Sequence, residues 1–178
     1  SLTVEIARDQ RLFSQQFRQG AASSSLIDEG PVRNRRGTKV CFHPDPEIFG
    51  KNLKFKPSTL YQMAKSKAYL FKGVEIRWSC DTVLIASDPE TPDAEIIHYP
   101  NGLTDYLASE LQDRKIIGNA VFSNAKDTKT NERIEWAIAW PEDNDDGFLN
   151  SYCNTIPTPQ GGTHEAGLKA ALLKGIRT

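Results

Sequence analysis

Residues 157–169 read Pro157-Thr158-Pro159-Gln160-Gly161-Gly162-Thr163-His164-Glu165-Ala166-Gly167-Leu168-Lys169. The prolines and the adjacent glycines of this run are typical of a strand end followed by a tight turn. Thr163 is then a suitable N-cap for a helix that continues toward the C-terminus. A helix start of this kind directs backbone N–H groups outward, as an anion site requires. From the spacing alone an ordinary helix start is the simpler interpretation, and an anion site is the alternative.

Strand and helix patterns extend outward from this run over most of the chain. Apolar residues alternate with polar ones, as in half-buried strands, over residues 2–8, 11–19, 38–43, 74–78, 96–99, 120–123, 134–140 and 148–154. Apolar residues recur at helical spacing over 60–70, where Ser58 is a candidate N-cap, over 102–111, and in a last helix with Leu168, Ala171, Leu172 and Ile176 on one face. The order predicts an α+β fold with mixed sheets and helices on one face rather than a regular βαβ alternation.

The bulk composition is that of a protein with a hydrophobic core and no membrane span. The chain has 178 residues, enough for one domain or two small ones, and 38% of them are hydrophobic. No apolar run is long enough to cross a bilayer, and no signal peptide is recognisable. Cys41, Cys80 and Cys153 are odd in number and widely spaced, so we expect reduced thiols in a cytoplasmic protein.

The charge is unevenly distributed between the two halves. Residues 1–80 carry 14 Lys and Arg against 7 Asp and Glu, whereas residues 81–178 carry 8 against 16. The first half could therefore meet phosphate, while contact between nucleic acid and the second half would have to be local. Two ordinary solvated surfaces would give the same counts. The prolines of 88–93, together with the change of charge, suggest a domain boundary nearby.

The residues alone give no complete catalytic constellation. His164-Glu165 is not followed by the second histidine of a zinc-peptidase helix, and the three histidines are far apart in sequence. No phosphate-binding loop of the Walker type and no nucleophile elbow is present. Residues 143–146 form an acidic segment that could bind calcium weakly, although a solvated loop is the simpler interpretation.

Four segments together resemble the B subunits of bacterial type IIA topoisomerases, in the order in which that family has them. They are residues 35–45 (RRGTKVCFHPD), 65–76 (KSKAYLFKGVEI), 99–107 (YPNGLTDYL) and 151–169, which includes the opening run. The resemblance covers nearly the whole chain. The Lys-x-Lys-Ala helix and the Gly-Leu-x-Asp-Tyr-Leu segment favour the topoisomerase IV branch over the gyrase branch.

This resemblance implies a fold and a set of partners. Residues 1–98 would form the C-terminal part of a GHKL-type ATPase sandwich, and residues 99–178 the N-terminal part of a transducer domain like domain 2 of ribosomal protein S5. The intact enzyme would use ATP and magnesium to pass one DNA duplex through another. Its partners would be DNA, the A subunit of topoisomerase IV and a second B subunit.

The resemblance also assigns roles to single residues. Thr38 matches a threonine that helps to hold the adenine-reading aspartate and a water, since a hydroxyl both donates and accepts. Val40 matches an apolar residue of the pocket floor, and Arg8 matches an arginine at the pocket mouth, where aminocoumarins bind. Lys169 matches a basic residue, usually arginine, that faces the DNA cavity. Arg33, Arg35 and Arg36 are interpreted as a solvated loop.

No residue of this chain matches the family's catalytic groups. The general-base glutamate, the magnesium-binding asparagine and the adenine-reading aspartate would precede Ser1, and the lysine that reaches the γ-phosphate would follow Thr178. We therefore expect a fragment that is inactive alone and binds no cofactor by itself. The alternative is an independent module that uses the same fold to bind DNA or a partner, as the basic first half suggests.

Overall fold

The computed structural model describes residues 1–51, 53–129, 132–143 and 147–177, and its contacts divide the chain into two units, Ser1–Phe55 and Lys56–Thr178. The strands of the described residues are β1 (Leu2–Arg8), β2 (Arg11–Arg18), β3 (Ala21–Ala22), β4 (Ile27–Pro31), β5 (Gly37–Phe42), β6 (Glu75–Ser79), β7 (Ala94–His98), β8 (Phe122–Asp127), β9 (Arg133–Ile138), β10 (Tyr152–Cys153) and β11 (Ile156–Pro157). The α-helices are α1 (Pro46–Phe49), α2 (Pro57–Leu70), α3 (Thr82–Ile85), α4 (Leu103–Leu111) and α5 (Thr163–Ile176), and a 3₁₀ turn spans Ile117–Asn119. The predicted α+β class is confirmed.

The first unit is an antiparallel sheet built on the hairpin of β1 and β2. Asp9 and Gln10 join these strands with φ of 52° and 59°, and Arg8 lies opposite Arg11. Two central residues with positive φ give the turn whose twist matches that of the strands. The strand order is β3-β2-β1-β5, and β4 also pairs with β2.

The register of β1 and β5 sets the two faces of this sheet. Ile6 lies opposite Thr38, and Val4 lies opposite Val40. Because directly opposed residues of an antiparallel pair point to the same face, these four side chains share one side of the sheet. Phe42 continues that side, and its ring contacts Phe55 edge-on at 5.7 Å between centroids.

The second unit begins with α2 packed against the antiparallel pair of β6 and β7, which are connected through α3. Its core consists of Tyr61, Ala68 and Ile97, against which Ala64, Ile76, Trp78 and Tyr99 pack. The buried polar atoms of this core are paired, as burial requires. The indole N–H of Trp78 donates to the carbonyl of Pro92 at 2.8 Å, and the Tyr61 hydroxyl bonds to the Glu95 carboxylate.

A tyrosine cluster joins α2 to the remainder of the second unit. The ring of Tyr69 stacks on that of Tyr106 in α4, with centroids 3.9 Å apart and an interplanar angle of 19°. Tyr69 and Tyr152 share a hydrogen bond between their hydroxyls at 2.5 Å. Since aromatic pairs add about 0.5–1.5 kcal/mol beyond the burial of their surface, this cluster is a principal link between α2 and the later elements.

Several details differ from the sequence predictions. The sheets are not mixed as predicted, because every strand pairing among the described residues is antiparallel. Thr163 is the first helical residue of α5, not its cap, because Gly162 takes the N-cap position without a side-chain hydrogen bond. Ser58 likewise lies inside α2, since Pro57 starts that helix and Lys56 precedes it as N-cap. The strand predicted over 148–154 is confined to β10, and β8 extends to Asp127, beyond the predicted end at residue 123.

The predicted domain boundary between residues 98 and 99 stays a prediction, since grouping by contact does not delimit evolutionary domains. Among the described residues, no helix is both long and apolar enough to cross a membrane.

Candidate nucleotide and nucleic-acid sites

An open depression of about 650 Å³ lies at one end of the sheet in the first unit. It is lined by Ile6, Ala7, Arg8, Asp9, Gln10, Arg35, Arg36, Gly37 and Thr38. Two of the three residues predicted to contact nucleotide, Arg8 and Thr38, therefore share one concavity. The third, Val40, does not line it.

The register explains why Arg8 and Thr38 come together. Thr38 lies opposite Ile6, and Arg8 follows Ile6 by two residues on the same strand. Because side chains alternate along a strand, Ile6, Arg8 and Thr38 point to the same face. The side chain of Val40 is on that face too, one step further from the depression, and the residue is 55% exposed.

The depression is rich in arginine, but two of its guanidinium groups are already paired. Arg8 pairs with Asp9 at 3.3 Å, and Arg35 pairs with Glu5 at 2.6 Å. The hydrogen bond from Arg35, with a further contribution from Lys39 at 3.4 Å, holds the pKa of the Glu5 carboxyl below its usual value. Even with these pairs, the lining presents hydrogen-bond donors and positive charge, because it contains three arginines and one carboxylate.

The sequence predicts a solvated loop for Arg35 and Arg36 and gives them no part in this site. Both do lie between β4 and β5, outside regular structure, but both also line the depression. The connection between β4 and β5 returns to the end of β1 that carries Arg8. This placement depends on the tertiary fold, and no local sequence pattern predicts it. Arg33, the third arginine of the group, is exposed and is not among the lining residues.

The opening run of the sequence forms a second concavity, in the second unit. It has a volume of about 360 Å³ and is lined by Leu149, Asn150, Ser151, Tyr152, Pro157, Thr158, Pro159, Gln160, Gly161 and Glu165. The Ser151 hydroxyl bonds to the Thr158 hydroxyl at 2.7 Å and donates to Glu165 Oε2 at 3.2 Å. Thr158 in turn contacts His164 Nε2 at 3.3 Å. The polar groups of the turn thus satisfy one another.

Lys169, the predicted DNA contact, lies one helical turn beyond Glu165 and is paired with it. Its ammonium donates to Glu165 Oε1 at 2.6 Å, and its side chain is 59% exposed against 18% for that of Glu165. The hydrogen bond from Lys169 is the main cause that holds the pKa of the Glu165 carboxyl below its usual value. The ammonium is therefore accessible to a phosphate but already has an anionic partner.

Within the described ranges, no group of three or more His, Cys, Asp or Glu side chains is placed to hold a metal ion. The calcium interpretation of residues 143–146 falls largely on residues outside the described ones. Of that segment Asp143 is described, and its carboxylate pairs with Arg114.

Known proteins share both the sequence and the fold of this chain. A family model described as DNA gyrase B matches residues 102–178. The B subunit of DNA topoisomerase 4 from Bartonella bacilliformis is 45% identical over 177 residues, which are 99% of this chain and 25% of that protein. The corresponding protein of Rickettsia felis is 44% identical, again over 99% of this chain and 26% of its own length. The chain thus spans about a quarter of the length of these relatives.

Solved structures agree with the sequence relatives. The 43K ATPase domain of Thermus thermophilus gyrase B, in complex with an aminocoumarin, matches with a TM-score of 0.76 at 26% identity and covers 96% of this chain and 44% of its own. The topoisomerase IV ATP-binding domain of Francisella tularensis matches with a TM-score of 0.65 at 28% identity, over 97% of this chain and 44% of its own. The fold is therefore that of the ATPase region of type II topoisomerase B subunits. The chain belongs to the family of bacterial topoisomerase IV and gyrase B subunits, as the four sequence segments indicated.

Proposed function

We propose that this chain comprises the end of the ATPase domain and the start of the transducer domain of a topoisomerase IV B subunit. In the intact enzyme, ATP binding would close a dimeric gate and hydrolysis would reset it, so that one DNA duplex passes through another. The observation that carries the proposal is sequence identity of 42–45% with several topoisomerase 4 B subunits along 98–99% of the chain. The partners would be DNA, the A subunit of topoisomerase IV and a second B subunit, in the cytoplasm.

The depression of the first unit fits part of a nucleotide site. Thr38 offers a hydroxyl that donates and accepts, Arg8 and Arg36 offer guanidinium groups, and Ile6 offers apolar surface. These are the groups that a base and a phosphate chain need side by side. The fit to magnesium is poor, because the carboxylate that the described lining offers, Asp9, is ion-paired with Arg8. We therefore assign magnesium to ligands outside this segment.

Nucleotide binding by the full-length protein that carries this segment tests the assignment. We expect Thr38→Val and Arg8→Ala each to weaken binding of a non-hydrolysable ATP analogue about 5- to 50-fold, the loss of one or two hydrogen bonds. Arg18→Ala is the matched control, since Arg18 lies in β2 at the far end of the sheet from the depression. Equal affinities of all three variants would refute the assignment of this depression to the nucleotide site. An aminocoumarin is a second ligand with which the same comparison can be made.

The domain boundary between residues 98 and 99 and the inactivity of the isolated chain are parts of this proposal. The family resemblance assigns the general base and the magnesium ligand to segments that this chain does not match. Because these groups provide the main catalytic steps, we expect no ATP turnover by the chain alone. Robust turnover in an ATPase assay with magnesium would contradict this. The alternative of an independent binding module is not favoured, because the relatives match along the whole chain.

A further inference from the structure

In the turn of the second unit, the carboxylate of Glu165 is held by two other side chains. It accepts from the Lys169 ammonium at 2.6 Å on Oε1 and from the Ser151 hydroxyl at 3.2 Å on Oε2. Only 18% of its side chain is exposed. An ordinary pair of helix residues four apart lacks the second anchor, which here comes from the segment before the turn.

The backbone of the turn is shaped around this carboxylate. Gly161 has φ of +74°, and a Cβ built there would lie 3.1 Å from Glu165 Oε2. A side chain at this position would therefore require the carboxylate to shift by a few tenths of an ångström. Gly161 leaves the space that the carboxylate occupies, and the Ser151 hydroxyl holds Oε2 against the turn while Oε1 bonds to Lys169.

We infer that Glu165 is an intramolecular competitor for the phosphate contact of Lys169, and that it sets how loosely this lysine holds DNA. The inference rests on the proposed function and on the contact between Lys169 and DNA that the family resemblance predicts. A phosphate that approaches Lys169 must share its ammonium with a fixed carboxylate and is repelled by the same carboxylate. The result is a contact that is weak and readily broken.

Such a contact suits a duplex that has to pass through rather than remain. A lysine without a resident anion would hold each phosphate slightly more tightly, whereas a lysine with a resident anion exchanges partners with little net change in energy. Glu165 is thus a positioning residue that acts through Lys169, not a group that contacts DNA.

Duplex binding by the full-length protein, measured at several salt concentrations, tests the inference. We expect Glu165→Gln to tighten binding about two- to fivefold, the range of one exposed ion pair. We expect the same change to have no effect in a Lys169→Ala background. Glu110→Gln is the matched control, because Glu110 is also a partly exposed acid paired with a lysine, Lys65 at 3.5 Å, but on α4. It should leave DNA affinity unchanged.

A second variant guards against loss of folding. Glu165→Asp keeps the negative charge in the first turn of α5, but its shorter side chain cannot reach Ser151 and Lys169 together. Glu165→Asp should also tighten duplex binding, but by a smaller factor than Glu165→Gln does. Circular dichroism of each variant establishes that α5 is retained.

The possible outcomes separate the inference from the function on which it rests. If Glu165→Gln tightens binding equally with and without Lys169, bulk charge is the cause and the inference is wrong. If Lys169→Ala weakens binding but Glu165→Gln changes nothing, the DNA contact of Lys169 is supported and the competitor role of Glu165 is refuted. If Lys169→Ala itself leaves affinity and salt dependence unchanged, the proposed DNA contact fails and the inference fails with it.

Discussion

Lys67 donates from its ammonium to both oxygens of Thr155, at 2.7 Å to the hydroxyl and 2.9 Å to the carbonyl. Thr155 and Asn154 are the central residues of the turn between β10 and β11, with φ of 66° and 48°. A β-branched residue in the left-handed region is an outlier and is disfavoured by roughly 1–2 kcal/mol. The lysine of α2 therefore holds a strained turn in place across a separation of 88 residues.

Replacing Lys67 with methionine should release that turn. We expect a loss of about 1.5–3 kcal/mol in the free energy of unfolding, the usual contribution of a hydrogen bond to a charged group. Urea denaturation of the variant and of the unaltered chain measures the difference. Lys65→Met is the matched control, because Lys65 on the same helix makes a single ion pair at 3.5 Å and should lose less than about 1 kcal/mol.

A second substitution separates strain from hydrogen bonding. Glycine adopts positive φ without a penalty, so Thr155→Gly should recover about 1 kcal/mol in the Lys67→Met background. In the unaltered background it should gain less, because it also removes the hydroxyl that Lys67 bonds. Strict additivity of the two changes would show that Lys67 and Thr155 do not act as a pair.

The two glycines of the turn before α5 should respond differently to alanine. Gly161 has a φ that disfavours a side chain, and its added Cβ would approach a carboxylate that cannot move freely, so Gly161→Ala should lower stability by about 1–2 kcal/mol. Gly162 has extended backbone with φ of 165°, and its added Cβ would meet only the ring of His164, at 2.8 Å. That ring is exposed and can rotate away at the loss of its 3.3 Å contact with Thr158, so Gly162→Ala should lower stability by only about 0.5 kcal/mol. Thermal unfolding of both variants makes the comparison, and equal losses would contradict it.

Local patterns were sufficient for most of the elements. The alternation of residues 2–8 and 11–19 predicted the hairpin of β1 and β2, and the apolar spacing of 60–70 predicted α2. The predicted caps were wrong for a simple reason: a proline at the first helical position, or a glycine before it, can begin a helix without a side-chain cap. The strand over 148–154 was overestimated because apolar alternation does not ensure a partner, and only Tyr152–Cys153 is paired.

The candidate sites were predictable only in part. Arg8 and Thr38 were found through family resemblance, and the register of β1 and β5 explains their proximity. Arg35 and Arg36 were missed, since no periodicity reveals where a loop returns. The pairing of Lys169 with Glu165 follows from their spacing of four residues, but the anchor at Ser151 depends on the fold of the preceding segment.

The tyrosines of the second unit predict a loss of stability at alkaline pH. Burial, reinforced by the hydrogen bond to Tyr152, raises the pKa of Tyr69 well above its ordinary value, and burial with the Glu95 hydrogen bond does the same for Tyr61. Both side chains are neutral when protonated. Their contribution to the free energy of unfolding is therefore fully present below the pKa of about 10 that tyrosine has in the unfolded chain. As the pH rises above this value, the unfolded chain loses these protons first, and the free energy of unfolding falls.

Urea denaturation over a series of alkaline pH values measures this effect. Tyr69→Phe removes one of the perturbed hydroxyls, so the variant should show a shallower decline with pH than the unaltered chain, although it is less stable near neutrality. Ultraviolet absorbance of tyrosinate provides an independent readout, because the buried rings should ionise only as the chain unfolds. A pH dependence that is identical in the two proteins would exclude Tyr69 as a source.

Lys169→Arg tests whether the proposed DNA contact is limited by its geometry. A guanidinium group presents several N–H donors in a planar fork, so it can keep one bond to Glu165 while another reaches a phosphate. We therefore expect duplex affinity to rise about two- to fivefold, with little change in the slope of affinity against salt, since the charge is the same. Lys174→Arg, on the same helix, is the control for a general effect of arginine and should leave affinity unchanged. If Lys169→Arg weakens binding, the contact with DNA requires the geometry of an ammonium group. In that case the additional donors of a guanidinium group do not relieve the competition with Glu165.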